Sequence, residues 1–269
     1  MRLLWPVAVM SISTQEIIMA ITRSDFVTGK VIENKAWTER LYTLKIRVKQ
    51  LPFRAGQFVR LQLPVEGEAL AKPCSLVNSS DKQDLEIYYN TVQNGQLSNE
   101  LAALEVGDTI YVSQPAFGYF VLDQIPESKH LWMFATGTGV GPFISLLRSS
   151  EIWTRFEKIV LVHSVPIIEE LTFAELTEKL QKEHPEQFQY LPCVTRENFS
   201  TGLNGRMTDL LVNGDLEKMA GYEINKESSQ VMLCGNHNMI NDMKTLLAER
   251  GMRRNLSHKP GNITTEQYF

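Results

Sequence analysis

The sequence predicts two domains, an antiparallel β barrel followed by an α/β domain with a parallel sheet. In the first half, short stretches of alternating apolar and polar residues are separated by turn residues, with little helical signal between them. In the second half, apolar strands alternate with helical stretches, which is the pattern of a parallel sheet covered by helices on both faces. We therefore expect an N-terminal extension over residues 1–20, the barrel over 21–125 and the α/β domain over 126–269.

Individual elements follow from the two periodicities. In the barrel, strands are predicted at Leu41–Val48, 57–63, 85–91 and Thr109–Ser113, and a short helix at 98–104. In the α/β domain, strands are predicted at 131–135, 159–163, Phe188–Val194 and 231–234, and helices at 143–148, 173–184, 207–213 and 239–250. Parallel sheets of this kind bind ligands beyond the carboxyl ends of their strands. The residues that fall at these ends are Gly137, Ser164, Arg196 and Gly235.

The first strand of the α/β domain runs directly into a glycine-rich turn, Gly137-Thr-Gly-Val-Gly-Pro142. Glycines lack the Cβ that keeps the backbone away from a phosphate, and the helix start behind the turn offers unpaired N–H groups and the positive end of a dipole. The turn therefore favours a pyrophosphate site. Its spacing differs from the G-x-G-x-x-G dinucleotide fingerprint, and a tight strand-to-helix turn without a ligand is the alternative.

The composition is that of a globular chain, with 269 residues, of which 43% are hydrophobic and 22% charged. The net charge of −4 argues against nucleic acid as the main partner, because binding to phosphate backbones needs clustered positive charge. Cys74, Cys193 and Cys234 are widely separated and include no C-x-x-C pair, so we expect no disulfide framework, iron–sulfur cluster or zinc site. The lack of a disulfide framework agrees with a cytoplasmic location.

Residues 1–20 are interpreted as an addition to the fold. The apolar run at 3–10 contains Pro6 and is not followed by a small-residue cleavage site, so it does not match a signal peptide. It is also too short to cross a bilayer, and we expect no membrane insertion. The segment is expected to be poorly ordered or a weakly docked arm.

Several local motifs occur in the order and at the separations of a known family. They are the segments 52–58 and 75–78, the segment 118–123, the glycine turn, the segment 231–236 and the tail 259–269. From residue 26 to residue 269 the chain resembles the ferredoxin/flavodoxin–NADP reductase family, and most closely its short bacterial members.

The resemblance implies that the barrel binds FAD and that the α/β domain binds NADP. Hydride would be exchanged between NADP(H) and FAD, and single electrons would pass to ferredoxin or flavodoxin, the implied partner. The implied catalytic residues are Ser75, near flavin N5, and Cys234, in the nicotinamide pocket. The reaction needs no metal, and a monomer is expected.

The family's Arg-x-Tyr-Ser segment for FAD corresponds to Lys72-Pro73-Cys74-Ser75 in this chain, with the serine retained. Lys72 keeps a positive charge for the pyrophosphate but lacks the planar two-point contact of a guanidinium. Cys74 lacks the ring that stacks on the flavin, and its alternative interpretation is an apolar strand residue packed in the barrel. Further implied FAD contacts are Tyr89, Asn90, Thr91, Gln96, Leu97, Ser98, Tyr268 and Phe269.

Two of these contacts have a stated role. Ser98 is expected to begin a helix whose N–H groups hold the FAD pyrophosphate. Phe269, preceded by Tyr268, matches the terminal aromatic that stacks on adenine in the short bacterial type, and a frayed chain end is the alternative.

The implied NADP contacts are Thr138, Cys234, Gly235, Arg196 and Arg206. Arg196 and Arg206 stand where family arginines bind the 2′-phosphate of NADP, and an ion pair with a neighbouring glutamate is the alternative role for either. A further arginine that the family often has is replaced here by Pro166.

These departures leave two alternatives open. Because Pro166 stands where the family often has an arginine, an NADH-dependent flavin or oxygenase reductase of the same architecture is one alternative. Because Lys72 and Cys74 replace the family's arginine and tyrosine, the other alternative is a flavin-poor interaction subunit that keeps the fold but does not catalyse electron transfer.

Overall fold

The computed structural model describes residues 25–66, 68–82 and 84–267. The expected N-terminal extension, residues 1–20, and the aromatics Tyr268 and Phe269 lie outside the described residues. None of the helices within these ranges has the length and apolar character that crossing a bilayer requires.

The first half folds into an antiparallel sheet, as the alternating pattern predicts. Its elements are β1 (Phe26–Ala36), β2 (Leu41–Val48), β3 (Phe58–Val65), β4 (Glu68–Ser75), β5 (Asp84–Asn90), the helix α1 (Gln96–Ala103) and β6 (Thr109–Ser113). The strand order is β4-β3-β6-β1-β2-β5. Leu76, directly after β4, bridges Ile87 of β5, so the two edges of the sheet meet. The predicted barrel is confirmed as a partly closed one.

The second half folds into a parallel sheet with helices on both faces, and this prediction is also confirmed. Its strands are β7 (His130–Thr136), β8 (Lys158–Val165), β9 (Phe188–Val194), β10 (Leu203–Asn204), β11 (Ser229–Gly235) and β12 (Ile263–Gln267). Its helices are α2 (Gly141–Leu147), α3 (Glu151–Arg155), α4 (Ala174–Glu183), α5 (Met207–Val212), α6 (Asp215–Ala220) and α7 (His237–Glu249). The strand order is β10-β9-β8-β7-β11-β12, so the chain changes direction across the sheet between β7 and β11. Parallel sheets bind ligands in the crevice at such a switch point.

Alternate residues of the central strand β7 face opposite sides of the sheet. Leu131, Met133 and Ala135 pack with apolar residues of α2, α3 and α4, whereas Trp132 and Phe134 pack with those of α5, α6 and α7. All five side chains are fully buried. Burial on both faces explains why this strand is a continuous apolar run in the sequence.

The barrel and the parallel sheet share one of these apolar clusters. Val77 and Tyr88 of the barrel pack in the same cluster as the residues of α2. The Ser145 hydroxyl on α2 donates a hydrogen bond to the Asn78 carbonyl at 2.8 Å, and the Thr172 hydroxyl donates to the Tyr88 hydroxyl at 2.9 Å. Because α2 starts at the glycine turn, these contacts hold the turn at a fixed position relative to the barrel.

Candidate active site

The glycine turn lies at the carboxyl end of β7, in the crevice at the switch point. Gly137–Val140 form a 3₁₀ turn that continues directly into α2. Gly137 has a φ of +52°, which favours glycine, and no atom lies within 4 Å of the place its Cβ would take. A Cβ on Gly139 would lie 2.7 Å from the Cys234 carbonyl oxygen, so this glycine allows the turn to pack on β11. The turn is closed towards β11 and open at Gly137, where a phosphate has access to the backbone.

A second glycine joins the ends of β7 and β11. Gly235 has a φ of +126°, and any side chain there would collide with Thr136. The neighbouring Asn236 amide donates to the Thr136 hydroxyl at 2.7 Å. The predicted contacts Thr138 and Gly235 are therefore held on the two sides of one crevice.

The two predicted catalytic residues come together through a third residue. Ser75 is buried at the end of β4, and its hydroxyl lies 3.4 Å from an oxygen of the Glu266 carboxyl group. Glu266, on β12, is the register partner of the fully buried Cys234 on β11. The barrel and the parallel sheet thus each supply side chains to one cleft.

Glu266 is not among the residues that the sequence singles out. In the sequence, the tail that contains Glu266 draws attention only to its terminal aromatics, and only the fold places the Glu266 carboxyl group beside Ser75. Burial raises the pKa of Glu266 to about 7, while the hydrogen bond from Ser75 acts in the opposite direction. A carboxyl group that titrates near neutral pH is suited to hold or release a proton in this cleft.

Replacing Glu266 with glutamine is expected to stabilise the protein at high pH. Burial raises the pKa of Glu266 from 4.5 to about 7, so ionisation of this carboxyl group destabilises the folded state. The destabilisation is absent below about pH 4, grows as the pH rises from 4.5 to about 7, and is constant at higher pH. The Glu266→Gln variant should match the wild type in Tm near pH 4 and exceed it near pH 8, by about 2–4 °C for each kcal/mol relieved. Thermal unfolding across this pH range measures the difference. The exposed Glu100→Gln serves as the control, and equal Tm values for Glu266→Gln and wild type near pH 8 would contradict the assignment.

The segment that corresponds to the family's flavin-stacking motif is only partly buried. Lys72 and Pro73 are exposed, and Cys74 is half-buried with its side chain against the apolar core of the barrel. Burial raises the pKa of the Cys74 thiol to about 12, so the thiol remains protonated. Tyr89 is buried close by, stacked on Tyr42 with ring centroids 5.6 Å apart. The packing of Cys74 agrees with its alternative interpretation as an apolar strand residue.

The prediction that Ser98 begins a helix is wrong. Helix α1 begins at Gln96, with Gly95 at the N-cap position and no side chain capping it. The Ser98 hydroxyl accepts a hydrogen bond from the Val92 amide at 3.3 Å and donates to the Gly95 carbonyl at 3.2 Å, so it stabilises the loop within the first turn. The amides of Gln96, Leu97 and Ser98 form the N-terminal turn of α1, where an anion is stabilised.

The end of β5 is fixed close to this helix. Asn90 closes β5 and Thr91 follows it, and both are half-buried. The Thr91 amide donates to the Arg40 carbonyl at 2.8 Å, and the Arg40 guanidinium donates to the Thr91 carbonyl at 3.4 Å. The implied FAD contacts on β5 are thus held by the turn that connects β1 to β2.

Arg196 and Arg206 lie at the same edge of the sheet as the glycine turn. Each follows its strand by two residues, and these strands, β9 and β10, pair in parallel with Val194 opposite Asn204. Both arginines are exposed, and neither forms an ion pair with any residue that the structure describes. Neighbouring strands are about 4.8 Å apart, so the arginines lie roughly 10–15 Å along the sheet from β7. This spacing suits a dinucleotide with its phosphorylated adenosine at β9 and β10.

The histidines do not form a metal site with the other described residues. His163 is fully buried, and His237 and His258 are exposed. Within the described ranges, no group of three or more His, Cys, Asp or Glu side chains is arranged to hold a metal ion.

A barrel that meets a parallel sheet at Ser75 and Glu266, with a glycine turn at the switch point, defines a two-domain nucleotide-binding protein. Residues 29–120 match the family model of the oxidoreductase FAD-binding domain, and residues 133–245 match that of the oxidoreductase NAD-binding domain. The chain belongs to the flavodoxin/ferredoxin–NADP reductase family, bacterial type, as its similarity to the following relatives shows.

The relatives match over nearly their whole length. The chain is 42% identical to the flavodoxin/ferredoxin–NADP reductase of Escherichia coli over 247 residues, which cover 91% of this chain and 100% of that protein. It is 32% identical to the ferredoxin–NADP reductase of Pseudomonas aeruginosa, with 91% of this chain and 98% of that protein covered. A ferredoxin NADP+ reductase from Neisseria gonorrhoeae with bound FAD and NADP has a TM-score of 0.87 and 32% identity, with 92% of this chain and 100% of that chain covered. The chain is therefore an oxidoreductase with FAD and NADP as its cofactors.

Proposed function

We propose that this chain transfers electrons between NADP(H) and ferredoxin or flavodoxin, with FAD bound between the barrel and the parallel sheet. The observation that carries the proposal is the convergence of Ser75 from the barrel with Cys234 and Glu266 from the parallel sheet. One chain supplies all three residues, so a monomer suffices for the reaction. Cys74, Cys193 and Cys234 form no disulfide with one another in the described part of the chain, which supports a cytoplasmic location.

The barrel, assigned to residues 21–125, is the proposed FAD-binding domain. Lys72 supplies positive charge to the pyrophosphate, and the amides at the start of α1 supply hydrogen-bond donors. The Ser75 hydroxyl donates a hydrogen bond within the cleft, and its contact with Glu266 gives it a proton partner. Bound FAD supplies the conversion between two-electron hydride transfer and one-electron transfer.

The parallel sheet, assigned to residues 126–269, is the proposed NADP-binding domain. Thr138 in the glycine turn and Gly235 at the end of β11 line the crevice for the nicotinamide end, with Cys234 buried beside them. Arg196 and Arg206 bind the 2′-phosphate, which supports a preference for NADP(H) over NAD(H). The preference is strong enough to disfavour the NADH-dependent alternative even without an arginine at position 166.

A visible spectrum of the purified protein and identification of the released flavin test the proposal first. One FAD per chain, released on denaturation, is the expected result, together with NADPH-driven reduction of added ferredoxin or flavodoxin. Release of FMN alone would contradict the proposed FAD site, and absence of flavin after reconstitution would favour the flavin-poor alternative.

Replacing Cys74 with tyrosine is expected to strengthen FAD retention, because a stacked ring contributes about 0.5–1.5 kcal/mol beyond the area it buries. This corresponds to a dissociation constant that is about 2–13 times lower. Equilibrium dialysis of FAD compares the variant with the wild type, and Cys74→Ala provides the control that removes the thiol without adding a ring. Unchanged or weaker FAD binding in Cys74→Tyr would show that the pocket has repacked around the thiol.

A further inference from the structure

A buried histidine lies directly beneath the glycine turn. His163, on β8, is fully buried, and its Nε2 atom is 3.0 Å from the Gly137 carbonyl oxygen. Its Nδ1 atom is 3.2 Å from the hydroxyl of Tyr190 on β9. A chain of two hydrogen bonds thus connects the neighbouring strand β9 to the first residue of the turn.

The chemistry of the groups decides which atom donates. The Gly137 carbonyl oxygen can only accept, so His163 carries its hydrogen on Nε2, and Nδ1 accepts from the Tyr190 hydroxyl. Burial lowers the pKa of His163 to about 4, which keeps the ring neutral, and burial raises the pKa of Tyr190, which keeps the phenol protonated. The Gly137 carbonyl therefore fixes the tautomer of His163, and the Tyr190 hydroxyl stabilises this tautomer by donating a hydrogen bond to Nδ1.

The Gly137 end of the turn depends on this bond. The other end is held by the packing of Gly139 on Cys234 and by the hydrogen bond from the Asn236 amide to Thr136. At Gly137 the space around the missing Cβ is open, and the backbone is in the left-handed region. The side-chain bond from His163 fixes the direction of this first peptide group.

We propose that His163 and Tyr190 are positioning residues, which act through the Gly137 carbonyl to hold the glycine turn ready for the pyrophosphate and nicotinamide end of NADP(H). This inference rests on the proposed function of the α/β domain. The proposed 2′-phosphate site, formed by Arg196 and Arg206, lies beyond the ends of β9 and β10, which are further along the sheet. Loss of the His163 bond should therefore weaken only one half of the dinucleotide site.

The test compares two ligands that share the 2′-phosphate. NADP+ occupies the whole site, whereas 2′,5′-ADP lacks the nicotinamide and the second phosphate of the pyrophosphate. His163→Leu should raise the Kd for NADP+ about tenfold, because a buried carbonyl loses its donor, and should leave the Kd for 2′,5′-ADP within about twofold. His163→Gln, which keeps an N–H donor, should recover most of the affinity. Tyr190→Phe should raise the Kd for NADP+ about two- to fivefold, because Nδ1 of His163 loses the hydrogen bond that stabilises and orients the ring.

A matched pair at the opposite edge of the same sheet provides the control. His130, at the start of β7, packs against Tyr222 with ring centroids 4.7 Å apart. His130→Gln and Tyr222→Phe should leave the Kd values of both ligands unchanged. Titrations use the FAD-loaded full-length protein, with Tm and FAD content recorded for each variant.

If the His163→Leu variant binds NADP+ and 2′,5′-ADP more weakly by the same factor, or binds NADP+ as tightly as the wild type does, the inference is overturned. His163 and Tyr190 would then serve only general packing. If His163→Leu does not fold, Tyr190→Phe decides, since it keeps the ring and removes only the hydroxyl. Failure of the wild-type protein to bind NADP+ at all would instead overturn the proposed function, and the two failures are therefore distinguishable.

Discussion

Replacing both Arg196 and Arg206 with alanine is expected to raise the KM for NADPH at least tenfold and to leave the KM for NADH nearly unchanged. Each arginine is exposed and without an ion-pair partner among the described residues, so both are available to the 2′-phosphate. A hydrogen bond to a charged group contributes about 1.5–3 kcal/mol, and exposure to solvent reduces this value. Two such contacts still account for a tenfold rise in the KM for NADPH, because a free-energy difference of about 1.4 kcal/mol corresponds to a tenfold change in affinity.

Steady-state kinetics with NADPH and NADH and an artificial acceptor measure this effect. Arg47→Ala is the matched control, because Arg47 is also exposed but is paired with Asp84 on the barrel sheet, away from β9 and β10. An equal loss of activity with both nucleotides would assign the two arginines a structural role and would place the enzyme with the NADH-dependent alternative.

Replacing Ser75 with alanine is expected to lower kcat about 10–100-fold with either NADPH or NADH, with little change in KM. The hydroxyl is buried in the cleft and contacts Glu266, so its removal deletes one hydrogen bond at the proposed reacting end of the flavin. A hydrogen bond of about 1.5–3 kcal/mol made during the chemical step accounts for this range. A loss in kcat that is shared by both nucleotides separates this residue from the arginines, which affect only NADPH.

Anaerobic single-turnover kinetics of flavin reduction measure this step without contribution from product release. Ser113→Ala is the control, because Ser113 is a buried serine of the same barrel whose hydroxyl accepts from the Arg60 amide at 2.8 Å. It should lower Tm without slowing flavin reduction. A Ser75→Ala variant with the wild-type rate and full FAD content would remove Ser75 from the proposed chemistry.

Strong periodicity accounts for the parts of the fold that the sequence predicts well. β7, β8 and β11 are buried on both faces and are mostly apolar, while β2 and β6 alternate between apolar and polar residues. The predicted bounds of these five strands lie within about two residues of the observed ones. β1, β4, β10 and β12 are not predicted. β4, β10 and β12 lie at sheet edges, and β1, although internal, is exposed or half-buried along most of its length. Edge strands lack the second buried face that gives a strand its apolar pattern.

The candidate site is predictable where its residues follow a motif in sequence. The glycine turn is predicted from its own residues, and Ser75 and Cys234 are predicted from the family resemblance of their segments. Glu266 and Tyr190 are not, because their roles depend on side chains from β4 and β8 that are close only in the folded chain. The contact of His163 with Gly137 likewise becomes visible only when β8 is paired with β7.

The central claim is that one FAD, held between the barrel and the parallel sheet, connects NADPH to a ferredoxin or flavodoxin. Anaerobic mixing of the purified protein with NADPH, followed by a second mixing with oxidised flavodoxin or ferredoxin, tests it most directly. The account predicts that NADPH removes the visible flavin absorbance at least ten times faster than NADH at equal subsaturating concentration, as two 2′-phosphate contacts require. It also predicts that the acceptor restores this absorbance while becoming reduced itself. Flavin that NADH reduces as fast as NADPH does, or reduced flavin that passes no electrons to either acceptor, would contradict the account.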